Sequence, residues 1–344
     1  MLTIHTPPHL KEEALGLKKK SGQHLKGHLF ATSGTTGTPK WILHSEDALD
    51  WNAHTFNTLF NITSNDQAAL ALPTFHVGGF MVSRRAQLAN HPVSHFDQKW
   101  NPTNFLAFLT QTQATLTSLV PTQIHDLVRH NLPPPPSLRL ALIGGAKLEP
   151  HLANSARKLS WPLVTSYGMT ETAGIIAIEN NGTLKPLPGW KLRPSPQNLL
   201  QIAGPGLFTG QIVANEFHPR TDSWFTTSDL VNPDLHLLGR ADTQIKILGE
   251  LVDLANLRSQ LAALFPEHPT TIIPLPDKRR GHQLQALIET SPSNQILTHF
   301  NHWNNSLPPF SRSNKLHFLP NWPRTPLGKP ILAALTEKIS ACTD

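Results

Sequence analysis

Between residues 28 and 178 the chain alternates short apolar runs with longer amphipathic ones. HLFAT, AALALP, TLTSLV, RLALI and PLVTS have the length and apolar content of strands, whereas SEDALDWNAHTFNTLF, PTNFLAFLTQT, PTQIHDLVRHN and PHLANSARKL carry a helical period. Each helical stretch opens on Ser45 or on a proline suited to a first turn. This alternation predicts βαβ units and a mostly parallel sheet flanked by helices. Residues 181–230 are dense in proline and glycine with short runs, which suits a small β-rich subdomain, and PPPP at 133–136 reads as a surface connector. A boundary is expected near Gly239-Arg240-Ala241-Asp242. Beyond it, short strands mix with helices at 253–264, 294–303 and 330–339. The expected organisation is a large α/β domain over 1–240 and a small α+β domain over 241–344. No internal repeat is evident.

Composition narrows the function classes. With 344 residues, 39% of them hydrophobic and 15% charged, the chain can bury a core in each of two or three domains. The net charge of +6 favours anionic partners only weakly. Its one dense basic run, LKKKSGQHLK at 17–26, reads as a solvated face, and no nucleic-acid-binding signature accompanies it. Cys342 is the only cysteine, which excludes an intramolecular disulfide, and no Cys/His spacing of the zinc type occurs. MLTIHTPPHLKEEALGL lacks an apolar stretch long enough for a signal peptide or a membrane span, so a cytoplasmic protein without membrane insertion is expected.

The candidate chemistry begins at ATSGTTGTPKWILHS, residues 31–45. Small and hydroxylated residues there bury almost nothing but expose the amides and hydroxyls that a polyphosphate needs. The Walker pattern does not fit: counting from Gly34, Pro39 stands in place of the second glycine, and Trp41 rather than Ser or Thr follows Lys40. Clusters of this composition are commonly plain surface loops. Four further stretches raise the loop above that reading. SYGMTETAG (166–174) follows the strand PLVTS, at the carboxyl end of a parallel sheet where open α/β folds bind ligands. WFTTSDL (224–230) carries Asp229, GRADTQIKILGELV (239–252) gathers charges around Gly249, and PRTPLGK (323–329) ends on Lys329. Singly each is an ordinary cap, turn or bend; their joint occurrence in this order is not.

Together the five stretches resemble the adenylate-forming superfamily of acyl-CoA synthetases, luciferases and adenylation domains, from about Phe30 to Ile331. Within it, LPTFHVGGF (72–80), SLVPTQIHDL (118–127) and ALIGGAKL (141–148) look most like the o-succinylbenzoate-CoA ligases of menaquinone and phylloquinone synthesis. The resemblance implies a ligase that joins a small carboxylic acid to AMP and then to coenzyme A, with ATP and Mg²⁺ as the other requirements. Thr32, Ser33, Gly34, Thr35, Thr36, Gly37 and Lys40 would cradle phosphates, and Thr170 would contact them beside Glu171, the Mg²⁺ ligand. Gly144, Gly145, Ala146, Tyr167 and Gly168 would line the nucleotide site, with Asp229 and Arg240 at the ribose. Lys329 would bridge the α-phosphate and the attacking carboxylate, acting most strongly in the transition state. A hinge at Asp242 would swing the mobile small domain for the thioester step, bringing Lys246, Gly249 and Glu250 to the pantetheine channel.

For the acyl pocket the resemblance points to His76, Val77, Gly78, Gly79, Ser118, Gly144 and Ser166; His76 reads equally well as a polar residue at a helix start. A keto-dicarboxylate leaves one carboxylate unreacted, and Arg84, Arg85 and Lys147 are candidate partners for it. The chain also departs from the pattern. Only 29 residues precede Phe30 where members carry a long segment, so another copy or a partner is expected to cover the shortened domain. Ser228 stands where a glycine is usual, and Asn256 and Arg258 replace acidic residues. A ligase for another aromatic or fatty acid, and a catalytically weakened adenylate-binding protein, remain alternatives. GPGLFTG (204–210) has its third glycine one place late for a dinucleotide fingerprint, and G-x-S-x-G is absent.

Overall fold

The computed structural model describes residues 2–21, 25–32, 40–248, 250–277, 279–325 and 330–340. The chain divides into two compact units: Met1–Ser195 with Gln201–Thr227 and Pro233–His236, and Pro196–Leu200 with Ser228–Asn232 and Leu237–Asp344.

The first unit opens with β1 (Leu2–His5), α1 (Lys11–Ser21), β2 (Gly27–Thr32) and β3 (Lys40–His44). There follow α2 (Glu46–Leu59), β4 (Ala68–Leu70), α3 (Val77–Ala89), β5 (Val93–His95), α4 (Pro102–Gln111), β6 (Leu116–Leu119), α5 (Pro121–Arg129), β7 (Leu140–Ile143) and α6 (Pro150–Lys158). Then β8 (Leu163–Met169), β9 (Gly174–Asn180) and β10 (Thr183–Pro186) complete a seven-stranded sheet in the order β10-β9-β8-β7-β6-β4-β5. From β5 to β8 the neighbours are parallel, and β9 and β10 add antiparallel strands beyond β8. The predicted helix starts are realised chemically: Ser45 accepts a hydrogen bond from the Ala48 amide at 3.2 Å, Asn101 from Asn104 at 2.9 Å, and Pro102, Pro121 and Pro150 occupy first turns.

Both faces of this sheet are covered, so β6 and β7 are buried along their whole length and read as unbroken runs rather than alternations. On one face Phe105 and Leu109 of α4, Ile124 and Leu127 of α5, and Leu152 and Ala156 of α6 pack with Ala69, Leu119, Ala141 and Ile143. α2 and α3 supply the other cover, Phe56 and Val82 lining a small cavity together with Ala68, Leu116 and Leu142 of the strands. Of α3 the sequence offers only its start at His76, because Gly78 and Gly79 sit in the first turn and each costs a helix about 1 kcal/mol relative to alanine. Gly79 is needed there, since a Cβ would come within 2.3 Å of the Pro73 carbonyl oxygen. Asn90 ends α3 in the left-handed region (φ 55°), its amide bonding the Ala86 and Gln87 carbonyls.

Past this sheet come β11 (Lys191–Pro194), β12 (Leu199–Ala203), β13 (Gly210–Val213), β14 (Glu216–Pro219), β15 (Phe225–Val231) and β16 (Leu237–Arg240). β13 and β14 join the first three strands in a sheet ordered β1-β2-β3-β13-β14, and the other four form a sheet ordered β11-β12-β15-β16. Leu17 of α1 covers one side of the first of these sheets, packing with Leu2, Leu29, Trp41, Leu43 and Ile212. Trp41, which breaks the Walker pattern, is a buried anchor whose indole N–H donates to Glu13 at 2.9 Å.

The second unit is α+β. β17 (Gln244–Ile247) and β18 (Glu250–Asp253) pair as a hairpin, followed by α7 (Leu254–Leu264), β19 (Thr270–Asp277), β20 (Gly281–Ile288), α8 (Asn294–Ser306), β21 (Ser313–Phe318) and α9 (Leu332–Ser340). β19, β20 and β21 form a three-stranded sheet in that order. Its pleat splits the core: Ile272 and Leu284 pack with Leu257, Leu261 and Phe300 of α7 and α8, while Ile273 and Leu287 pack with Leu335 and Ile339 of α9. Among the described residues no helix is long and apolar enough to cross a membrane.

Candidate functional site

In the first unit, Ser118, Gly144 and Ser166 lie at the carboxyl ends of three adjacent parallel strands, β6, β7 and β8. The Gly144 amide donates to the Leu119 carbonyl at 3.1 Å and the Ser166 hydroxyl to the Ile143 carbonyl at 2.9 Å, so the three strand ends are tied together. Gly145 has φ +80°, a conformation that glycine adopts without strain, and Ala146 after it is exposed. Tyr167 is half-buried on the same strand as Ser166. Gly168 lies so close to the returning strand that a Cβ there would come within 2.1 Å of the Gly174 carbonyl oxygen.

β8 ends in a short turn, Thr170–Thr172, that carries the predicted phosphate and metal residues. Its backbone carbonyls are taken up by the surrounding fold. His44 of β3 donates from Nε2 to Thr170 at 2.6 Å, the Phe208 amide donates to Glu171 at 2.9 Å, and Asn52 of α2 donates to Thr172 at 3.3 Å. Glu171 itself is half-buried. Thr32 and Lys40, the flanks of the glycine-rich loop, pair across β2 and β3, and the Thr32 hydroxyl reaches the Lys40 carbonyl at 3.3 Å. Ser33, Gly34, Thr35, Thr36 and Gly37 lie outside the described residues. His44 therefore connects the strand leaving that loop to the turn bearing Glu171.

The three cations considered for a second carboxylate differ sharply. Arg84 is paired with both Glu46 and Asp50, and Lys147 lies 3.6 Å from Glu149. Arg85 has no carboxylate within ion-pair distance among the described residues, although its side chain is buried. Its guanidinium stacks 3.9 Å over the Phe56 ring, its Nε has no hydrogen-bond partner among the described residues, and burial pulls its pKa down to about 9. Arg85 and Ser118 line one cavity of about 30 Å³, with Asn57, His91 and Thr117 as its other polar neighbours. That space holds about two waters, each needing roughly 10–15 Å³. Of the other acyl-pocket candidates, His76 precedes the first turn of α3, and Val77, Gly78 and Gly79 form that turn.

In the second unit Asp229 and Arg240 are cross-strand partners on β15 and β16, with Arg240 Nη1 3.1 Å from Asp229 Oδ1. Asp229 is buried and Arg240 exposed. Asp242 lies in the turn Ala241–Thr243, just before β17. Lys246 is opposite Leu251 and Glu250 opposite Ile247 in the β17–β18 hairpin, with Glu250 exposed. Gly249 and Lys329 lie outside the described residues. The described residues on either side of Lys329 are held together, Arg324 pairing with Pro330 and the Ile331 amide donating to the Pro323 carbonyl at 2.9 Å.

Sequence reasoning alone passes over His44 and Asn52, whose partners lie more than a hundred residues away along the chain. Among the described residues no group of three or more His, Cys, Asp and Glu side chains is placed to hold a metal ion. A magnesium ion accompanying a nucleotide would rely instead on phosphate oxygens together with Glu171, whose carboxylate oxygens suit a hard cation.

Comparison with known proteins gives three further findings. The family model described as AMP-binding enzyme matches residues 29–203. An indoleacetate–CoA ligase of Aromatoleum aromaticum is 28% identical over 87% of this chain and 64% of its own length, and a 2-succinylbenzoate–CoA ligase of Bacillus velezensis is 28% identical over 68% and 53%. The chain thus spans between about half and two thirds of these relatives' lengths. Among solved structures, the o-succinylbenzoate CoA synthetase of Bacillus subtilis, in complex with its acyl-adenylate intermediate, superposes with a TM-score of 0.75 at 23% identity, over 90% of this chain and 68% of that one. At that identity the likeness concerns the fold.

Proposed function

This chain belongs to the family of AMP-binding enzymes, and from that premise we propose that it is an ATP-dependent acid–CoA ligase whose acid is an aromatic keto-dicarboxylate of the o-succinylbenzoate type. A carboxylate oxygen of the acid attacks the α-phosphorus of ATP and pyrophosphate leaves; the thiol of coenzyme A then attacks the acyl carbon of the adenylate, forming the thioester and releasing AMP. Both reactants of the first step are anions, so catalysis consists mainly of placing positive charge and N–H dipoles where negative charge accumulates.

In this reading the amides and hydroxyls of residues 32–37, with Lys40, hold the β- and γ-phosphates, and Thr170 contacts them alongside. Magnesium, when bound, supplies positive charge to the phosphates, and Glu171 is the carboxylate that would hold it. Tyr167 and the Gly144–Ala146 segment bound the nucleotide and acyl site, Asp229 accepts hydrogen bonds from the ribose hydroxyls, and Arg240 keeps that carboxylate oriented. Lys329 neutralises the meeting of carboxylate and α-phosphate. For the second step, residues 246–250 line the approach of the thiol after a rotation at Asp242. A product of this kind would serve menaquinone or phylloquinone synthesis.

The observation that carries the substrate reading is Arg85. A buried guanidinium without a carboxylate is costly in a resting protein, and a ligand carboxylate relieves that cost. Its cavity is shared with Ser118, an acyl-pocket candidate, so the unreacted carboxylate of a dicarboxylic acid would reach the cation directly or through the waters the cavity can hold. The test is acid-dependent release of pyrophosphate across a panel of carboxylic acids, followed by thioester formation with coenzyme A. Turnover of o-succinylbenzoate in preference to benzoates, indoleacetate and fatty acids is expected. Turnover of those monocarboxylates alone refutes the dicarboxylate, and no turnover with any acid favours a protein that only binds adenylates.

A further inference from the structure

The Thr170–Thr172 turn is held more firmly than a turn of its length requires. Thr170 O accepts from His44 Nε2 at 2.6 Å as well as from the Ala173 amide at 3.3 Å. Thr172 O and Ile175 O both accept from the Asn52 amide nitrogen, at 3.3 and 2.9 Å. The Thr172 hydroxyl bridges the two limbs, lying 3.1 Å from the Met169 amide and 2.7 Å from the Gly174 carbonyl. The turn closes on Ala173 at φ 55°, a left-handed conformation that is strained for a non-glycine residue. Strain of this kind persists where surrounding contacts over-determine it.

His44 and Asn52 are unusual residues for their surroundings. They are 0% and 1% exposed, and each leaves a polar atom without a partner among the described residues, Nδ1 in His44 and Oδ1 in Asn52. A purely apolar packing role would not call for either side chain. Because a carbonyl can only accept, His44 must carry its proton on Nε2, and burial lowers its pKa to about 4, so the ring is a neutral, single-tautomer donor at neutral pH.

We propose that His44 and Asn52 are positioning residues, which act through the carbonyls of Thr170 and Thr172 to fix the Glu171 turn for magnesium-bound ATP. This rests on the ligase reading for its ligand, though not for its geometry. His44 lies on the strand that leaves the glycine-rich loop and Asn52 on the helix that follows. One short segment, residues 44–52, therefore holds the turn from two sides.

The test uses the full chain and the variants His44→Leu, His44→Gln and Asn52→Leu, where Gln keeps an N–H donor at about the distance of Nε2. Two quantities are read: the Mg²⁺ concentration giving half-maximal ATP binding by calorimetry, and hydrogen exchange of the amides of residues 169–174. Losing one such hydrogen bond should raise the Mg²⁺ requirement about tenfold and speed local exchange by a similar factor, with thermal unfolding shifted little. His44→Gln should stay near the wild type. If His44→Leu does not fold, Asn52→Leu decides by the same two readouts. Unchanged Mg²⁺ dependence and exchange in the leucine variants overturn the proposal, as does a His44→Gln variant impaired as severely as His44→Leu. If the wild type binds no ATP with Mg²⁺, the ligase reading falls, and exchange alone then decides the positioning role: local acceleration supports it, and none overturns it.

Discussion

Replacing Arg85 with methionine should make the free protein more stable and the enzyme worse. Burial holds the Arg85 pKa at about 9, more than three units below an ordinary arginine, which at 1.36 kcal/mol per unit corresponds to about 5 kcal/mol set against the charged form. Methionine keeps an unbranched chain against Phe56, Val82 and Leu142 and removes the charge, so a gain of about 1–4 kcal/mol is expected, as when buried charges give way to apolar residues. The Arg85 carbonyl, which accepts from Asn57 at 2.8 Å, is untouched by the change. A hydrogen bond to a charged group is worth about 1.5–3 kcal/mol, so the KM for a dicarboxylic acid should rise about 10- to 150-fold while that for ATP stays level. Urea unfolding followed by tryptophan fluorescence gives the first quantity, and pyrophosphate release at varied acid gives the second. A variant less stable than the wild type with an unaltered KM for the acid would refute the reasoning, because Arg85 would then be a structural residue satisfied in the resting fold.

Three other outcomes follow from the same contacts. His44 binds a proton near pH 4 when folded and near 6.5 when unfolded, so the unfolded chain holds more protons between those values. Stability is then full above pH 6.5 and falls by about 3 kcal/mol as the pH drops to 4, a loss that urea titrations should find flattened in His44→Gln and that parallel curves for both proteins would disprove. Ser45→Ala removes the acceptor for the Ala48 amide and should cost about 1 kcal/mol in urea unfolding, with Ser45→Asn restoring most of it; equal loss in both variants would remove the cap from the account. Gly168→Ala puts a methyl 2.1 Å from the Gly174 carbonyl oxygen and should cost about 1–3 kcal/mol and lower pyrophosphate release, whereas wild-type stability would mean that β9 moves aside freely.

What was legible in the sequence divides along a physical line. Helix starts and buried parallel strands are encoded locally, by Ser45 and the first-turn prolines, and by runs such as LTSL and LALI, and these elements are where the pattern puts them. The N-terminal strand and α1 were not legible, because KEEALGLKKKS is mostly polar and its Leu17 is buried only once β2 and β3 lie beneath it. Beyond its start at His76, α3 was hidden by Gly78 and Gly79, of which Gly79 is required by the approach of Pro73. Arg85 is the instructive case. As one of two adjacent arginines it reads as a surface residue by type, since arginine is seldom fully buried. Its position says otherwise: Met81, Val82, Arg85 and Ala86 recur at helical spacing and all are buried, whereas Arg84, one residue or about 100° round the helix, meets Glu46 and Asp50. A charged residue placed on the apolar stripe of a helix that faces a parallel sheet is therefore a candidate for ligand binding on its spacing alone, since the fold otherwise has no reason to bear its desolvation. His44 offers no such signal. A histidine inside a buried strand is uninformative until its partner is found, and that partner, the Thr170 carbonyl, is specified by the packing of β3 against the end of β8.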